Sequence, residues 1–284
     1  MNNHQIVSII IPTYNSARTV GQVIKSCLDQ TYKKLEIIVV DNNSKDNTLD
    51  IACNFGVRTF KKGPERGAQR NFGAKMAKGD FYLFLDSDIS LSPDVLMECV
   101  KLAEDEVAEV ITLREYIVGN GFWAECRKIE AQCYFGDDTI EAPRFISRKA
   151  FWDVEGYDED INLTGTEDWD LRERLLEKGY KILRVNAPTY HDEGKIILKK
   201  RIFQKCYYAQ SFIAYNKKHK GKTSVPFIRK CYLQNWDILI KHPVETTGFI
   251  IMKILEGFAA LYAMKIKRRS RITNSSIYTN STQR

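Results

Sequence analysis

Short apolar runs alternate with helix-periodic stretches along the first hundred residues. Val7–Pro12 (V-S-I-I-I-P) is continuous, rich in β-branched residues and ended by proline, the pattern of a strand buried on both faces. Val20, Val23, Ile24, Cys27 and Leu28 then recur at helical spacing. Leu35–Val40 is a second buried run with Asp41 at its carboxyl end, and Leu49, Ile51 and Ala52 follow in a helix that Asp46 can cap. Gly56–Phe60 predicts a shorter strand and Gly67–Ala77 a helix of small residues. Phe81–Leu85 (F-Y-L-F-L) is another buried strand, which delivers Asp86-Ser87-Asp88, and Ser92-Pro93 opens a further helix. This alternation predicts an α/β fold with a mainly parallel sheet and right-handed crossovers. Ligands of such open sheets bind outside the carboxyl ends of the strands, where Asp41, Asp86 and Asp88 all fall.

The stretch from about 109 to 195 is less regular. Glu109–Leu113 and Pro143–Ser147 read as strands, with an aromatic-rich helix near Phe122–Cys133 between them. A helix begins at Thr166-Glu167-Asp168-Trp169-Asp170-Leu171 and stops at Gly179. Lys181–Val185 returns as a strand, and Pro188–His191 closes the unit. Beyond it, Lys199, Lys200, Arg201 and Lys205 interleave with Phe203, Tyr207 and Tyr208, a basic helix with aromatics. In Phe249–Met264, Ile251, Ile254, Leu255, Phe258 and Tyr262 share one helical face, and Lys265–Arg271 follows as a basic run. That segment is too short and too polar for a comfortable membrane span. The predicted organisation is a domain at 1–195, divided into halves at 1–105 and 106–195, and a helical, basic, amphipathic region at 196–284.

Charge sharpens that division. The net charge is +7, but residues 195–284 carry 19 Lys and Arg against three acids, a balance of +16, so the rest of the chain stands at −9. An acidic body with a basic tail predicts a tail that meets something anionic: lipid head groups, a phosphorylated carrier or nucleic acid. An interfacial helix lying on a membrane fits the apolar face with its basic skirt, and a helix packed on the body or on a second copy is the alternative. Seven cysteines without a C-x-x-C pair predict reduced thiols, and no leader pattern precedes the first strand. The expected location is cytoplasmic, at the inner face of the cell membrane.

Several residues carry candidate chemistry. In an extended segment Asp86 and Asp88 point the same way, so two hard oxygen ligands would suit Mn²⁺ or Mg²⁺ shared with a diphosphate, or else cap the next helix. Asp41-Asn42-Asn43-Ser44 reads either as an Asx-type turn or as a group recognising a base and ribose. Arg70, in R-G-A-Q-R-N-F-G, is placed to reach a diphosphate or else lies exposed on a packed helix. Glu167 and Asp168 either cap a helix or supply a general base for an acceptor hydroxyl. His191 is a structural histidine or the completion of a metal shell.

Together these segments resemble the family 2 glycosyltransferases, whose fold is GT-A. The likeness runs through V-S-I-I-I-P-T-Y-N at 7–15, V-V-D-N-N-S-K-D-N-T at 39–48, G-A-Q-R-N-F-G-A at 67–74, G-D-F-Y-L-F-L-D-S-D at 79–88, Val154–Asp158 and T-E-D-W-D-L at 166–171. The resemblance implies a nucleotide-sugar donor, UDP or GDP being expected. Pro12, Tyr14 and Asp41 would frame base and ribose, with Asn15, Asn43 and Ser87 as further donor contacts. Arg70 would contact the nucleotide or diphosphate. Asp86 would bind ribose and metal, Asp88 and His191 the metal. Asp168 would be the inverting general base, with Glu167 shaping the acceptor site. Asn42 stands where the family commonly has a second Asp, which leaves nucleotide preference open. The Q-x-x-R-W motif of processive synthases is not evident, so addition of one sugar is expected over polymerisation. A polyprenyl-phosphate-linked acceptor would rationalise the tail, and a homodimer stays open. The rival readings are a nucleotidyltransferase, for which Pro12–Asn15 lacks the Gly-rich basic loop, and a non-catalytic nucleotide-sugar-binding protein. No motif supports nucleic-acid binding by the tail.

Overall fold

The computed structural model describes residues 5–106, 108–137, 141–160, 165–219 and 229–279. Three parallel pairings form one half of the sheet. β1 (Val7–Thr13) lies between β2 (Leu35–Asp41) and β4 (Phe81–Phe84), and β3 (Arg58–Lys61) pairs outside β2. Every residue of β1 is buried, as its unbroken apolar run requires. Its alternate side chains enter two different cores. Val7, Ile9 and Ile11 pack with α1 (Val20–Leu28) and α4 (Val95–Asp105) on one face, while Ile10 packs with α3 (Arg66–Met76) on the other. α2 (Thr48–Asn54) connects β2 to β3.

α3 approaches the sheet closely because Gly73 has no side chain. A Cβ there would stand 2.4 Å from Ile10 Cγ2 and 3.3 Å from Val40 Cγ2.

The second half departs from the parallel plan. β7 (Pro143–Ser147) runs antiparallel to both β4 and β6 (Val110–Asn120), and the short β5 (Ile89–Leu91) runs antiparallel to β8 (Ile182–Lys195). β6 and β8 are parallel, giving the order β3-β2-β1-β4-β7-β6-β8-β5. The strand expected at 181–185 continues through 188–191 as one 14-residue strand, with Pro188 accommodated at a register shift. α5 (Phe122–Cys133), the unexpected short α6 (Arg148–Asp153) and α7 (Glu167–Glu177) complete this half.

The C-terminal region is helical, as its pattern predicts. α8 (Leu198–Lys218) leaves β8 almost directly, and the short α9 (Lys230–Gln234) and α10 (Trp236–Lys241) precede α11 (Pro243–Thr279), which is longer than the apolar segment foretold. α11 packs on the body along one face and leaves another exposed. Phe249 and Met252 bury against Cys126 of α5, whereas Ile251, Ile254, Phe258 and Tyr262 remain exposed. Among the described residues no helix is long and apolar enough to cross a membrane.

Candidate active site

The loops after β1, β2 and β4 meet at the carboxyl edge of the sheet, and hydrogen bonds tie them together. Asn15 N donates to Ser44 Oγ (2.8 Å), Lys45 N donates to Asn15 Oδ1 (2.8 Å), and the Ser16 and Ser87 hydroxyls bond at 2.7 Å. Asn15 and Asn43 adopt positive φ, +50° and +54°, which asparagine tolerates better than most residues. Pro12 is buried beneath this edge and Tyr14 stands 61% exposed above it.

Asp41 is only 1% exposed. Its Oδ1 accepts from Thr13 Oγ1 (2.8 Å) and Ser44 Oγ (2.5 Å), and its Oδ2 from Ser44 N (2.8 Å). The turn-forming alternative is therefore what the fold displays at Asp41, with the carboxylate fixing the loop that carries Asn43.

Asp86 and Asp88 do not emerge side by side. Ile89 N donates to Asp86 O (3.0 Å), closing a turn that cancels the alternation of an extended segment. Asp86 points inward, its Oδ1 2.6 Å from Arg70 Nη2 and its Oδ2 3.0 Å from Arg144 Nη2. Burial alone would raise the Asp86 carboxyl, but Arg144, Arg70 and Arg66 outweigh it and hold the group well below the usual carboxylate range. Asp88 points outward, 40% exposed, with Oδ2 3.5 Å from His191 Nε2.

The sheet explains that second pairing. His191 sits opposite Ile89 of β5 and Ile117 of β6, and Asp192 N donates to Asp88 O at 2.8 Å. On its other side His191 Nδ1 lies 3.7 Å from Glu115 Oε2. Burial would lower the imidazole, yet Asp88 and Glu115 raise it to about 10.

Arg70 differs most from expectation. Its side chain is 0% exposed, so it does not reach into the open site. Its Nη1 holds Asp168 Oδ1 at 2.9 Å, its Nη2 holds Asp86, and its guanidinium stacks 4.9 Å from the Tyr157 ring. Tyr157 OH also donates to Asp168 Oδ1 (3.2 Å). Asp168, 22% exposed at the start of α7, thus has one oxygen fixed from two sides. Its Oδ2 carries no hydrogen bond among the described residues. Glu167 is buried, accepts from Gly165 N and pairs with Arg66 Nη2 at 2.9 Å.

Two cavities flank His191. One, of about 280 Å³, is bounded by Asp168, Trp169, Glu115, Arg144, Tyr134 and Phe135. The other, of about 540 Å³, opens beside Asp88 and is bounded by Arg18, Arg127, Lys195, Lys200, Arg201 and Lys205. Arg144, Glu115 and Arg127 escaped the sequence reading. The one signal they offered was a charged residue inside an otherwise apolar or helical run, as in P-R-F-I-S. Among the described residues no cluster of three or more His, Cys, Asp or Glu is built to hold a metal ion. Asp86 is taken by its arginines, so the groups that could hold Mn²⁺ or Mg²⁺ are the Asp88 carboxylate, a hard oxygen donor, and for Mn²⁺ the His191 imidazole once its proton is displaced, with substrate oxygens completing the shell.

Comparison with known proteins agrees with this architecture. The pattern described as Glycosyl transferase family 2 matches residues 8–156, and that described as the N-terminal domain of galactosyltransferase matches residues 144–196. An uncharacterized glycosyltransferase of Rickettsia conorii is 30% identical over 222 residues, 70% of this chain and 34% of that protein. The chain therefore spans about a third of the length of that relative. A GalNAc(5)-diNAcBac-PP-undecaprenol beta-1,3-glucosyltransferase of Campylobacter jejuni is 34% identical over 114 residues, 37% of this chain and 36% of that one. Among solved structures, the mannosyltransferase PcManGT of Pyrobaculum calidifontis, in complex with GDP-Man and Mn²⁺, superposes with a TM-score of 0.57 over 98% of this chain and 80% of that one, at 17% identity. S. aureus TarS 1–349 in complex with UDP-GlcNAc gives 0.54 over 72% and 66%, at 19% identity. Both likenesses speak to the fold.

Proposed function

This chain belongs to glycosyl transferase family 2, and we propose that it moves one hexosyl unit from a nucleoside-diphosphate sugar, UDP- or GDP-linked, to a lipid-linked acceptor with inversion at the anomeric carbon. The observation that carries the reading is Asp168, whose Oδ1 is fixed by Arg70 and Tyr157 while the residue borders a cavity shared with His191. A carboxylate clamped through one oxygen presents the other to an acceptor hydroxyl.

The acceptor oxygen attacks the anomeric carbon as its proton passes to Asp168, and the bond to the diphosphate oxygen breaks with its electron pair leaving on the diphosphate. Asp168 needs no help from a protonating acid on the leaving group, in contrast to glycoside hydrolysis. Asp88 and His191 would hold Mn²⁺ or Mg²⁺, which when bound neutralises charge on the departing diphosphate. Tyr14, Asn15 and Asn43, on the tied loops above β1 and β2, would contact base and ribose. Trp169, which lines the smaller cavity, would pack its indole against an acceptor sugar.

Two observations support a lipid-linked acceptor. The Campylobacter relative's name contains an undecaprenol-linked acceptor. The exposed face of α11 (Ile251, Ile254, Phe258, Tyr262) precedes the basic run Lys265–Arg271, as an interfacial helix on anionic lipid requires.

The test is nucleoside diphosphate release from UDP-, GDP- and TDP-sugars with Mn²⁺, in the presence of a polyprenyl-diphosphate-linked saccharide. Release by the wild type, abolished in Asp168→Asn and Asp88→Ala, is the expected result. No release from any donor, or full release by Asp168→Asn, would overturn the assignment.

A further inference from the structure

Six charges close a ring around the joint between the sheet and the C-terminal helices. Arg127 Nη1 meets Glu130 (2.5 Å) and its Nη2 meets Glu193 (3.0 Å). Arg201 joins Glu193 (3.0 Å) to Glu256 (2.5 Å), and Lys253 pairs with both Glu256 (2.9 Å) and Glu130. Three bases and three acids leave the ring neutral.

Lys205 of α8 lies against this ring and has no place in it. Among the described residues it makes no hydrogen bond or ion pair, and it borders the 540 Å³ cavity that opens at Asp88. Burial pushes its ammonium down to about 8, with Lys253, Arg201 and Arg127 adding to the effect against Glu256. A half-buried cation without a counter-ion is costly, and an anion in the cavity would relieve that cost. The rest of the lining is built the same way. The acids there are already engaged, Asp192 by Arg18, Glu193 by Arg127 and Arg201, and Asp88 by His191. Lys195 and Lys200 line the cavity without a partner among the described residues, and Ile197 and Lys200 bring the amino end of the 21-residue helix α8, the positive end of its dipole, to the cavity wall.

We infer that Lys205, Lys200 and Lys195 with the amino end of α8 form an anion site that takes a diphosphate group beside Asp88. Lys200 and Lys205 belong to the C-terminal region, beyond the residues matched by either family pattern, and Lys195 ends β8 within residues 144–196. The identification of the diphosphate as that of donor or acceptor rests on the proposed glycosyl transfer; the site itself does not. Donor nucleotide and polyprenyl carrier offer the same chemistry, two adjacent phosphates.

Titration calorimetry of the full chain in EDTA, with inorganic pyrophosphate as the probe, tests the site. Wild type binds, Lys200→Gln/Lys205→Gln loses about tenfold or more in affinity, and Lys205→Arg restores much of it. Lys199→Gln, exposed and outside the cavity, binds like wild type, and thermal melting checks that each variant is folded. Absent binding by wild type, or undiminished binding by the double variant, overturns the inference. Repeating the titration with UDP or GDP and with a short polyprenyl diphosphate in micelles assigns the source: the ligand whose affinity falls in the double variant is the occupant. Loss confined to inorganic pyrophosphate, with both esters unaffected, also overturns it. Pyrophosphate binding that needs the lysines, in a protein that transfers no sugar, would sink the proposed function and keep the site. Transfer that needs Asp168 but is indifferent to the lysines would do the reverse.

Discussion

Replacing Arg70 with methionine keeps the length of the side chain and deletes the charge that joins Asp86 to Asp168. Removing one partner of a buried ion pair costs about 3–5 kcal/mol, because the other charge stays behind unpaired. Here the low end applies. Asp86 keeps Arg144 at 3.0 Å, and Asp168 keeps the Tyr157 hydroxyl and is 22% exposed, so solvent shares the burden. We expect Arg70→Met to lose about 3 kcal/mol in urea unfolding followed by tryptophan fluorescence. Asp86→Asn in the same background should recover part of that loss, so the double variant costs at least about 1 kcal/mol less than the sum of the singles. Activity gives a second reading. An arginine that only positions Asp168 lowers kcat and leaves KM for the donor nearly unchanged, whereas one that grips the diphosphate raises KM. Stability within about 0.5 kcal/mol of wild type, additive singles, or a change confined to KM would refute the account of Arg70 as a buried positioning residue.

Gly73→Ala sets about 1 kcal/mol of helix propensity against about 1–3 kcal/mol of overpacking on Ile10. With a Cβ to Cγ2 distance of 2.4 Å the clash should win, so a variant as stable as wild type to urea would contradict the close docking of α3. For Glu130, burial raises the carboxyl but Arg127 and Lys253 outweigh it and hold it far below its ordinary value. A depressed folded pKa contributes stability above the unfolded value, about 4.3, and loses it as pH falls below that. The stability gap between wild type and Glu130→Gln should therefore be level from pH 8 to 5 and shrink below about pH 4; a gap that widens in acid would be the contrary result. Phe258→Asp/Tyr262→Asp should reduce co-sedimentation with anionic phosphatidylglycerol vesicles severalfold, and high salt should weaken wild-type binding. Equal pelleting of variant and wild type would remove α11 as the docking face.

Strands buried on both faces were the most legible part of the sequence. β1, β2 and β4 appear within a residue or two of the apolar runs that announce them, and the carboxyl-end position of Asp41, Asp86 and Asp88 follows from topology alone. What a local pattern does not carry is the direction of a side chain at a turn. Asp86 and Asp88 part company because Ile89 closes back on Asp86, and nothing in D-S-D encodes that bond. β8 read as two pieces because Pro188 usually breaks a ladder, and a register shift absorbs it. Arg70 read as ligand-facing because it stands among small residues. Those same residues draw α3 onto the sheet and leave its guanidinium inside, against Tyr157. Arg144 and Glu115 offered only a charge inside an apolar run, which does not name a partner, since their partners come from strands and loops far along the chain.

The closed ring of Arg127, Glu193, Arg201, Glu256, Lys253 and Glu130 limits how this protein can be divided and how it can drift. Each acid has two basic neighbours and each base two acidic ones, so losing any member opens the ring, takes one partner from each neighbour and leaves the circuit with a net charge. A chain cut near residue 195 would keep Arg127 with Glu130 and Glu193 and lose the other half of the circuit, leaving a surplus negative charge on the face that α8 and α11 had covered. The sheet and the helical region are in that sense one piece. Substitutions at the six positions should be found in compensating sets, and a graft of α8–α11 onto another sheet would fail unless the receiving strand and helix brought the complementary charges with them.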